Sequence, residues 1–244
     1  MELNEGAAPE LYVVGAGPGD PELVTVKAIK VIQRASVILY DNLANIQLLE
    51  YAPLACEKIY VGKKPYGDFT HQDKIHELIK EHALKGIVVR LKGGDPFIFG
   101  RGFEEILFAR SLGIKAYYIP GITSMQAVGL EDIPLTHRNI CESIWVVTGT
   151  KKDGSLSSDL RLAIKSKATI VIYMGMKKLE EISKVFIEEG QGHLPAAIIQ
   201  HVSLPKQKMN KGQAKNLVQI AEEEVLTHPS IIIIGNVVDI SAHL

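Results

Sequence analysis

A chain of 244 residues suffices for one large or two modest domains, each with a core of its own. With 46% hydrophobic and 23% charged residues it reads as globular, and a net charge of −1 excludes a broad basic face for nucleic acid while leaving room for a local cationic pocket. No apolar run approaches the ~20 residues of a membrane span, and residues 1–9 are polar and acidic rather than signal-like, so a cytoplasmic protein with no membrane or nucleic-acid partner is expected.

Leu11 to Val14 is a short apolar run that ends in Gly15-Ala16-Gly17-Pro18-Gly19-Asp20, after which a periodic segment continues to Arg34. The order is strand, glycine turn, helix. Asp20 can cap the helix with Pro21 at its first position, or Thr25 can cap a shorter one; Val24, Ala28, Val31 and Ile32 form the apolar stripe. The turn nearly matches GxGxxG, but Asp20 stands where a dinucleotide turn needs glycine or alanine, and Pro18 removes an N–H that could face a pyrophosphate. A ligand without phosphates fits better.

Ser36 to Tyr40 reads as the second strand and delivers Asp41 and Asn42 past its carboxyl end, either for a ligand or for an Asx turn before a helix over Asn45 to Tyr51. Lys58 to Val61 is a third strand, and Lys63 and Lys64 follow at the same sheet edge as a ligand-facing pair or as ordinary solvated lysines. His71 to Leu84 is an amphipathic helix with Ile75, Leu78, Ile79 and Ala83 on one face; His71, His76 and His82 lack metal-pair spacing and are expected at the surface. Cys56 and Cys141, without CxxC spacing, fit reduced thiols in or near a core.

Lys92 to Gly102, KGGDPFIFGRG, follows a strand over Ile87 to Leu91 and leads into a helix from Phe103 to Ser111. Adjacent glycines after a buried strand allow a sharp turn and a close ligand approach to main chain, Pro96 stiffens the turn, and Gly100 and Gly102 are expected to open a second turn around Arg101. Four glycines in eleven residues, enclosing an acid, a cation and Phe97-Ile98-Phe99, exceed what a plain connection needs. Lys115 to Ile119 is the next strand, and Pro120 to Ser124 repeats a turn before a hydroxyl-rich helix start whose Thr123 and Ser124 serve a ligand or merely cap.

Leu130 to Ser143 carries Pro134 and little periodicity, which places a boundary near or just before it and predicts two lobes, 1–125 and 126–244. Strands at Ile144 to Thr148, Thr169 to Met174, Ala196 to Val202 and Ser230 to Ile234 alternate with helices at Leu156 to Lys165, Lys178 to Gly190 and Gln213 to Leu226. That alternation predicts α/β layers, largely parallel in the N-terminal lobe. The polar stretch between Ala196 and Gln213 reads as a hairpin, so the C-terminal sheet should be mixed.

GAGPGD, Tyr40-Asp41, VGKK, KGGDPFIFGRG, PGITS, IPLTHR over Ile133 to Arg138, VTG over Val147 to Gly149 and YMG over Tyr173 to Gly175 occur in this order along the chain. Together they resemble the uroporphyrinogen-III C-methyltransferases of the tetrapyrrole methylase family, with FGRG as the most specific element. The resemblance implies two α/β lobes with S-adenosyl-methionine in a cleft between them, a homodimer, no metal, and methylation of uroporphyrinogen III at C2 and C7 to precorrin-2 for sirohaem or cobalamin. By position it implies a methyl-donor site of Pro18, Gly93, Gly94, Asp95, Ile98, Thr123, Ser124, Met174 and Val202, with Asp41 as proton acceptor and Lys63 as proton donor. Lys64, Arg101 and Arg138 are the cations expected around the eight substrate carboxylates, arginine being able to bind bidentately. The chain departs from the pattern in 65–70, which lacks a histidine, and at Thr150, where many members have histidine. No dehydrogenase or chelatase segment is visible, so later sirohaem steps are expected of other proteins.

Three other readings compete. A methylase of later precorrins or of a macromolecule is disfavoured by FGRG and by the charge balance, and a dinucleotide oxidoreductase by Pro18 and Asp20. A non-catalytic nucleoside-binding module would be separated from the oxidoreductase by a binding panel of adenosyl-methionine, NAD and ATP.

Overall fold

The computed structural model describes residues 9–62 and 72–243, with side chains through 240. Two compact units divide the chain, Met1–Thr123 and Ser124–Leu244. Lys63, Lys64 and His71 lie outside the described residues, as does the 65–70 stretch.

In the first unit, β1 (Glu10–Gly15), β2 (Val37–Tyr40), β3 (Glu57–Tyr60), β4 (Ile87–Lys92) and β5 (Lys115–Ile119) form a sheet of order β3-β2-β4-β1-β5, parallel at every pairing. Parallel strands need crossovers, and these cover both faces of the sheet, which is why the central strands are nearly all apolar. Helix α1 (Val26–Ile32) buries Ala28, Val31 and Ile32 with Val14, Ile38, Val89 and Leu91 on one face. Helices α2 (Gln72–His82) and α3 (Gly102–Ser111) cover the other with Ile75, Ile79, Ile106 and Ala109 over Leu11, Val13, Leu39 and Val88. Both candidate caps before α1 are used. Asp20 accepts from Glu22 N–H to start a 3₁₀ turn at Pro21–Leu23, and Thr25 then accepts from Ala28 N–H to start the α-helix.

The expected surface placement of the α2 histidines fails for the two that are described. His82 is 3% exposed because it continues the Ile75, Ile79 stripe one turn further on. Its Nδ1 lies 3.5 Å from Glu57 Oε2. His76 is half-buried and stacks on Phe108 with ring centroids 4.2 Å apart.

The second unit starts with α4 (Ser124–Ala127), and its sheet joins β6 (Ile144–Thr148), β7 (Thr169–Tyr173), β8 (Pro195–Gln200), β9 (Lys208–Gln213) and β10 (Ser230–Ile234) in the order β6-β7-β10-β8-β9. Only β6 and β7 pair in parallel; β8 and β9 form the expected hairpin. Helices α5 (Leu160–Lys165), α6 (Leu179–Glu188) and α7 (Leu217–Glu223) pack one face around the fully buried Phe186. Ala127, Val128, Ile133, Val237 and Val238 pack the other. Strand β10, SIIII, is buried on both faces, so it has no polar alternation to show. Cys56 and Cys141 are free and buried.

Candidate functional site

Strand order decides where loops can form a site. From β1 the chain crosses over β4 through α1 to reach β2, and from β4 it crosses over β1 through α3 to reach β5, on the opposite face. The loops after β1 and β4 therefore leave the sheet in opposite directions, and open α/β sheets hold ligands beside such a switch point. Those loops are GAGPGD and KGGDP.

They meet main chain to main chain. Gly94 N–H donates to Gly17 O (2.6 Å) and Gly17 N–H to Gly94 O (3.3 Å), while Ala16 N–H donates to Lys92 O (2.7 Å). Gly121, from the PGITS turn, joins them: a Cβ there would sit 2.3 Å from Gly94 O and 2.8 Å from Gly15 Cα. Glycine is therefore required at Gly15 and Gly121 for close approach, and at Gly94 for its φ of +64°. Asp95 ties the junction. Its Oδ1 accepts from Phe97 N–H (2.8 Å), and its Oδ2 from Tyr118 O–H (2.5 Å) and Gly121 N–H (3.0 Å). Phe97 stacks on Tyr118 at 3.9 Å, and burial, then the Asp95 hydrogen bond, push the Tyr118 hydroxyl well above the ordinary tyrosine range.

The second half of this loop turns as expected, but by other residues. The left-handed positions are Phe99 (φ 53°) and Arg101 (φ 58°), whereas Gly100 and Gly102 are small because a Cβ on either would fall within 2.7 Å of Pro96. Gly93 is similarly confined, since its Cβ would lie 2.4 Å from Leu43 Cβ. Valine at Gly93 would thus strike Leu43 before any ligand. Arg101 lies in the open, forked onto Glu104 at 2.9 and 2.6 Å, and that hydrogen bonding holds the Glu104 carboxyl below its usual range. Phe97, Ile98, Phe99, Phe103 and Leu107 are all exposed.

At the end of β2, Asp41 makes the Asx turn its sequence context allowed and, besides it, an ion pair. Its Oδ1 accepts from Leu43 N–H (3.1 Å) in an Asx turn, and its Oδ2 accepts from Arg90 Nη2 (2.9 Å). Arg90 and Lys92 are two apart on β4 and so point to one face, beneath α3. There Glu105 Oε1 takes Arg90 Nε (3.4 Å), Lys92 Nζ (3.1 Å) and Gln72 Nε2 (3.2 Å), while Oε2 has no hydrogen-bond partner. Burial, then the neighbouring Arg90 charge, lower the Lys92 ammonium below the usual lysine range, with Glu105 opposing them. These buried charges were not singled out in the sequence. The signal was present in IVVRLK, an apolar strand carrying two cations with a period of two, and in a glutamate one position past Glu104.

Of the other expected site residues, Pro18 is half-buried at the first turn, and Thr123 is 5% exposed close to Gly94. In the second unit, β6, β7 and β8 run toward one sheet edge, which carries Gly149, Met174 and Val202. Met174 is exposed with φ 55°, and its carbonyl accepts from Thr150 Oγ1 (3.0 Å). Val202 is buried in the core beneath. Ser124 opens α4, whose Met125 N–H donates to Tyr173 O–H at 3.0 Å. Arg138 is exposed in the turn closed by mutual His137 and Cys141 backbone hydrogen bonds. Among the described residues no group of His, Cys, Asp and Glu could hold a metal, and no helix is long and apolar enough to cross a membrane.

Residues 10–218 match the tetrapyrrole (corrin/porphyrin) methylases. A uroporphyrinogen-III C-methyltransferase of Bacillus subtilis is 43% identical over 234 residues, which cover 94% of this chain and 91% of that protein. A siroheme synthase of Psychrobacter arcticus is 40% identical over 95% of this chain, but the chain spans only 43% of its length. Among solved structures, a Thermus thermophilus uroporphyrin-III C-methyl transferase complexed with S-adenyl homocysteine superposes with a TM-score of 0.80 and 38% identity, covering 95% of this chain and 99% of that one.

Proposed function

The chain belongs to the tetrapyrrole (corrin/porphyrin) methylases, and we propose that it methylates uroporphyrinogen III at C2 and C7, drawing each methyl from S-adenosyl-methionine, to give precorrin-2. The observation that carries this reading is the likeness of nearly the whole chain to a protein of that activity that is itself matched over 91% of its length.

The junction of Gly17, Gly94 and Gly121 suits the donor. It offers main chain and Pro18, with no lysine or arginine in GAGPGD, GGDP or PGITS to meet a phosphate. In this reading Pro18, Gly93, Gly94, Ile98, Thr123, Ser124, Met174 and Val202 line the donor site. Asp95, whose carboxylate is fully engaged within its own lobe, shapes it by holding the turns together. When bound, S-adenosyl-methionine supplies an electrophilic methyl, and the electrons of the broken C–S bond stay on sulfur.

The protein's part is alignment and proton removal. Holding the nucleophilic pyrrole carbon in line with the methyl supplies several kcal/mol as effective molarity. Once the C–C bond forms, the macrocycle is positively charged and loses a proton, which Asp41 accepts. Lys64, Arg101 and Arg138 bind substrate carboxylates. The exposed Phe103 and Leu107, one turn apart on α3, support a homodimer, and the two free cysteines support a cytoplasmic location.

The test is an anaerobic assay with uroporphyrinogen III and isotopically labelled S-adenosyl-methionine. Two labelled methyl groups per product molecule are expected. No transfer, or transfer only to an already methylated precorrin, overturns the assignment.

A further inference from the structure

Among the described residues Asp41 is the most exposed member of the buried charge cluster: its side chain is 19% exposed, against 3% for Arg90, 9% for Lys92 and 0% for Glu105. The others form a rigid mount behind it. Arg90 Nη1 donates to Leu39 O (3.3 Å) and Leu91 O (2.8 Å), its Nε to Glu105, and only Nη2 is left for Asp41. Because the guanidinium is planar and already fixed to carbonyls of β2 and β4, it does not follow Asp41; the carboxylate comes to it. The Asx bond from Leu43 N–H fixes Oδ1 and Arg90 fixes Oδ2, so the carboxylate has one rotamer and one plane. Stability alone is a weak reason for the cluster, since well-packed apolar residues generally replace buried ion pairs at no loss.

We propose that Arg90 is the positioning residue for Asp41, with Glu105 as the anchor that holds the guanidinium in register. The inference rests on the reading of Asp41 as proton acceptor. Arg90 then acts on turnover only through Asp41, by keeping its free lone pairs aimed outward from the sheet edge. Lysine at position 90 keeps the charge but can satisfy only some of the four acceptors now served by one rigid fork.

The test is a double-mutant cycle of Arg90→Lys and Asp41→Asn, read as single-turnover transfer of labelled methyl to uroporphyrinogen III, with S-adenosyl-methionine affinity from calorimetry. Arg90→Lys is expected to slow transfer by about 10- to 100-fold in the parent, by less than about threefold in the Asp41→Asn background, and to leave donor affinity unchanged. Equal slowing in both backgrounds, or parental rates for Arg90→Lys, overturns the proposal. So does an Asp41→Asn protein that transfers at the parental rate. If Arg90→Lys does not fold, Glu105→Gln keeps the Oε1 acceptor and is expected to slow transfer by roughly 3- to 10-fold, again only while Asp41 is present. Slowing that persists without Asp41 refutes the inference there too. A parent with no transfer at all fails the functional reading itself, which the same assay shows before any variant is compared.

Discussion

The two sheet edges that carry the candidate residues solve the problem of reversing the chain in different ways. In the first unit all five strands end at the same edge, and three of the resulting turns press backbone on backbone around Gly94, where a Cβ on Gly15 or Gly121 has no room. In the second unit the corresponding edge mixes strand ends with strand starts; Gly149 and Gly175 meet closely there too, a Cβ on Gly149 falling 2.5 Å from Gly175 Cα, but the turns after β7 and β8 also use side-chain-bearing residues in the left-handed region, Met174, His201 and Ser203 with φ of 55°, 53° and 68°. Close approach makes glycine obligatory, whereas a positive φ alone only disfavours a side chain, by roughly 1–2 kcal/mol. The first edge also has charges buried beneath it, so electrostatic and steric constraints coincide there, whereas among the described residues the second unit buries no charged side chain.

If catalysis depends on the first edge, Asp41→Asn has the largest effect: a 10²–10⁴-fold slower single-turnover transfer, about 3–5 kcal/mol, with donor affinity retained. Asparagine still makes the Asx turn, so a rate within about threefold of the parent would assign Asp41 to scaffolding. Next, Gly121→Ala should cost about 3 kcal/mol or more in urea unfolding, because the atoms a Cβ meets are backbone and cannot rotate away. A loss below about 1 kcal/mol would show that the junction yields, and the contrast between the edges would fall. Arg101→Met and Arg138→Met should each raise the KM for the macrocycle by at most the ~1.5–3 kcal/mol of one charged hydrogen bond, without weakening donor binding. Stability of Arg101→Met should change by less than about 1 kcal/mol, since its ion pair with Glu104 is exposed.

Two smaller effects sharpen the comparison further. Tyr118 has a raised folded pKa, so the unfolded chain loses that proton first and the native state binds more protons above pH ~10. Its contribution is complete below that pH and is lost as pH rises toward the folded value. The alkaline fall in stability should therefore be shallower in Tyr118→Phe, and equal slopes would detach Tyr118 from the Asp95 junction. Met174→Gly should change stability least, between zero and about +1 kcal/mol, as relief of the left-handed backbone is offset by glycine's flexibility when unfolded. A clear destabilisation would mean that the exposed side chain matters to the fold.

Much of the fold was legible because it is local. Nine of the ten described strands lie within two residues of their sequence-based spans, β9 having been expected only as part of a hairpin, and that hairpin and both caps before α1 were visible in turn chemistry. Relations across the sheet were not. That β1 sits between β4 and β5, and so brings three glycine turns together, depends on pairings more than 75 residues apart in sequence. His82 shows a different limit: its spacing from Ile75 and Ile79 placed it on the buried stripe, but its polarity argued for the surface, and spacing prevailed. The same preference for residue type concealed Arg90 and Glu105, because a charge in an apolar stretch looks like an edge until its partners are known. Gly100 and Gly102 were correctly associated with a turn, but what requires glycine there is closeness to Pro96, and neither has a positive φ.

The place of β1 between β4 and β5 bears on how the protein emerges from the ribosome. Glu10 pairs with Ile87 on one side and Lys115 on the other, so during synthesis the apolar segment LYVV waits for a partner until at least 77 more residues have been made. At about 5–20 residues per second that interval is roughly 4–15 s, long compared with the microseconds in which local helices form. Through that interval the nascent chain carries an unpaired, β-prone strand with both edges open, the segment for which a chaperone would have most use.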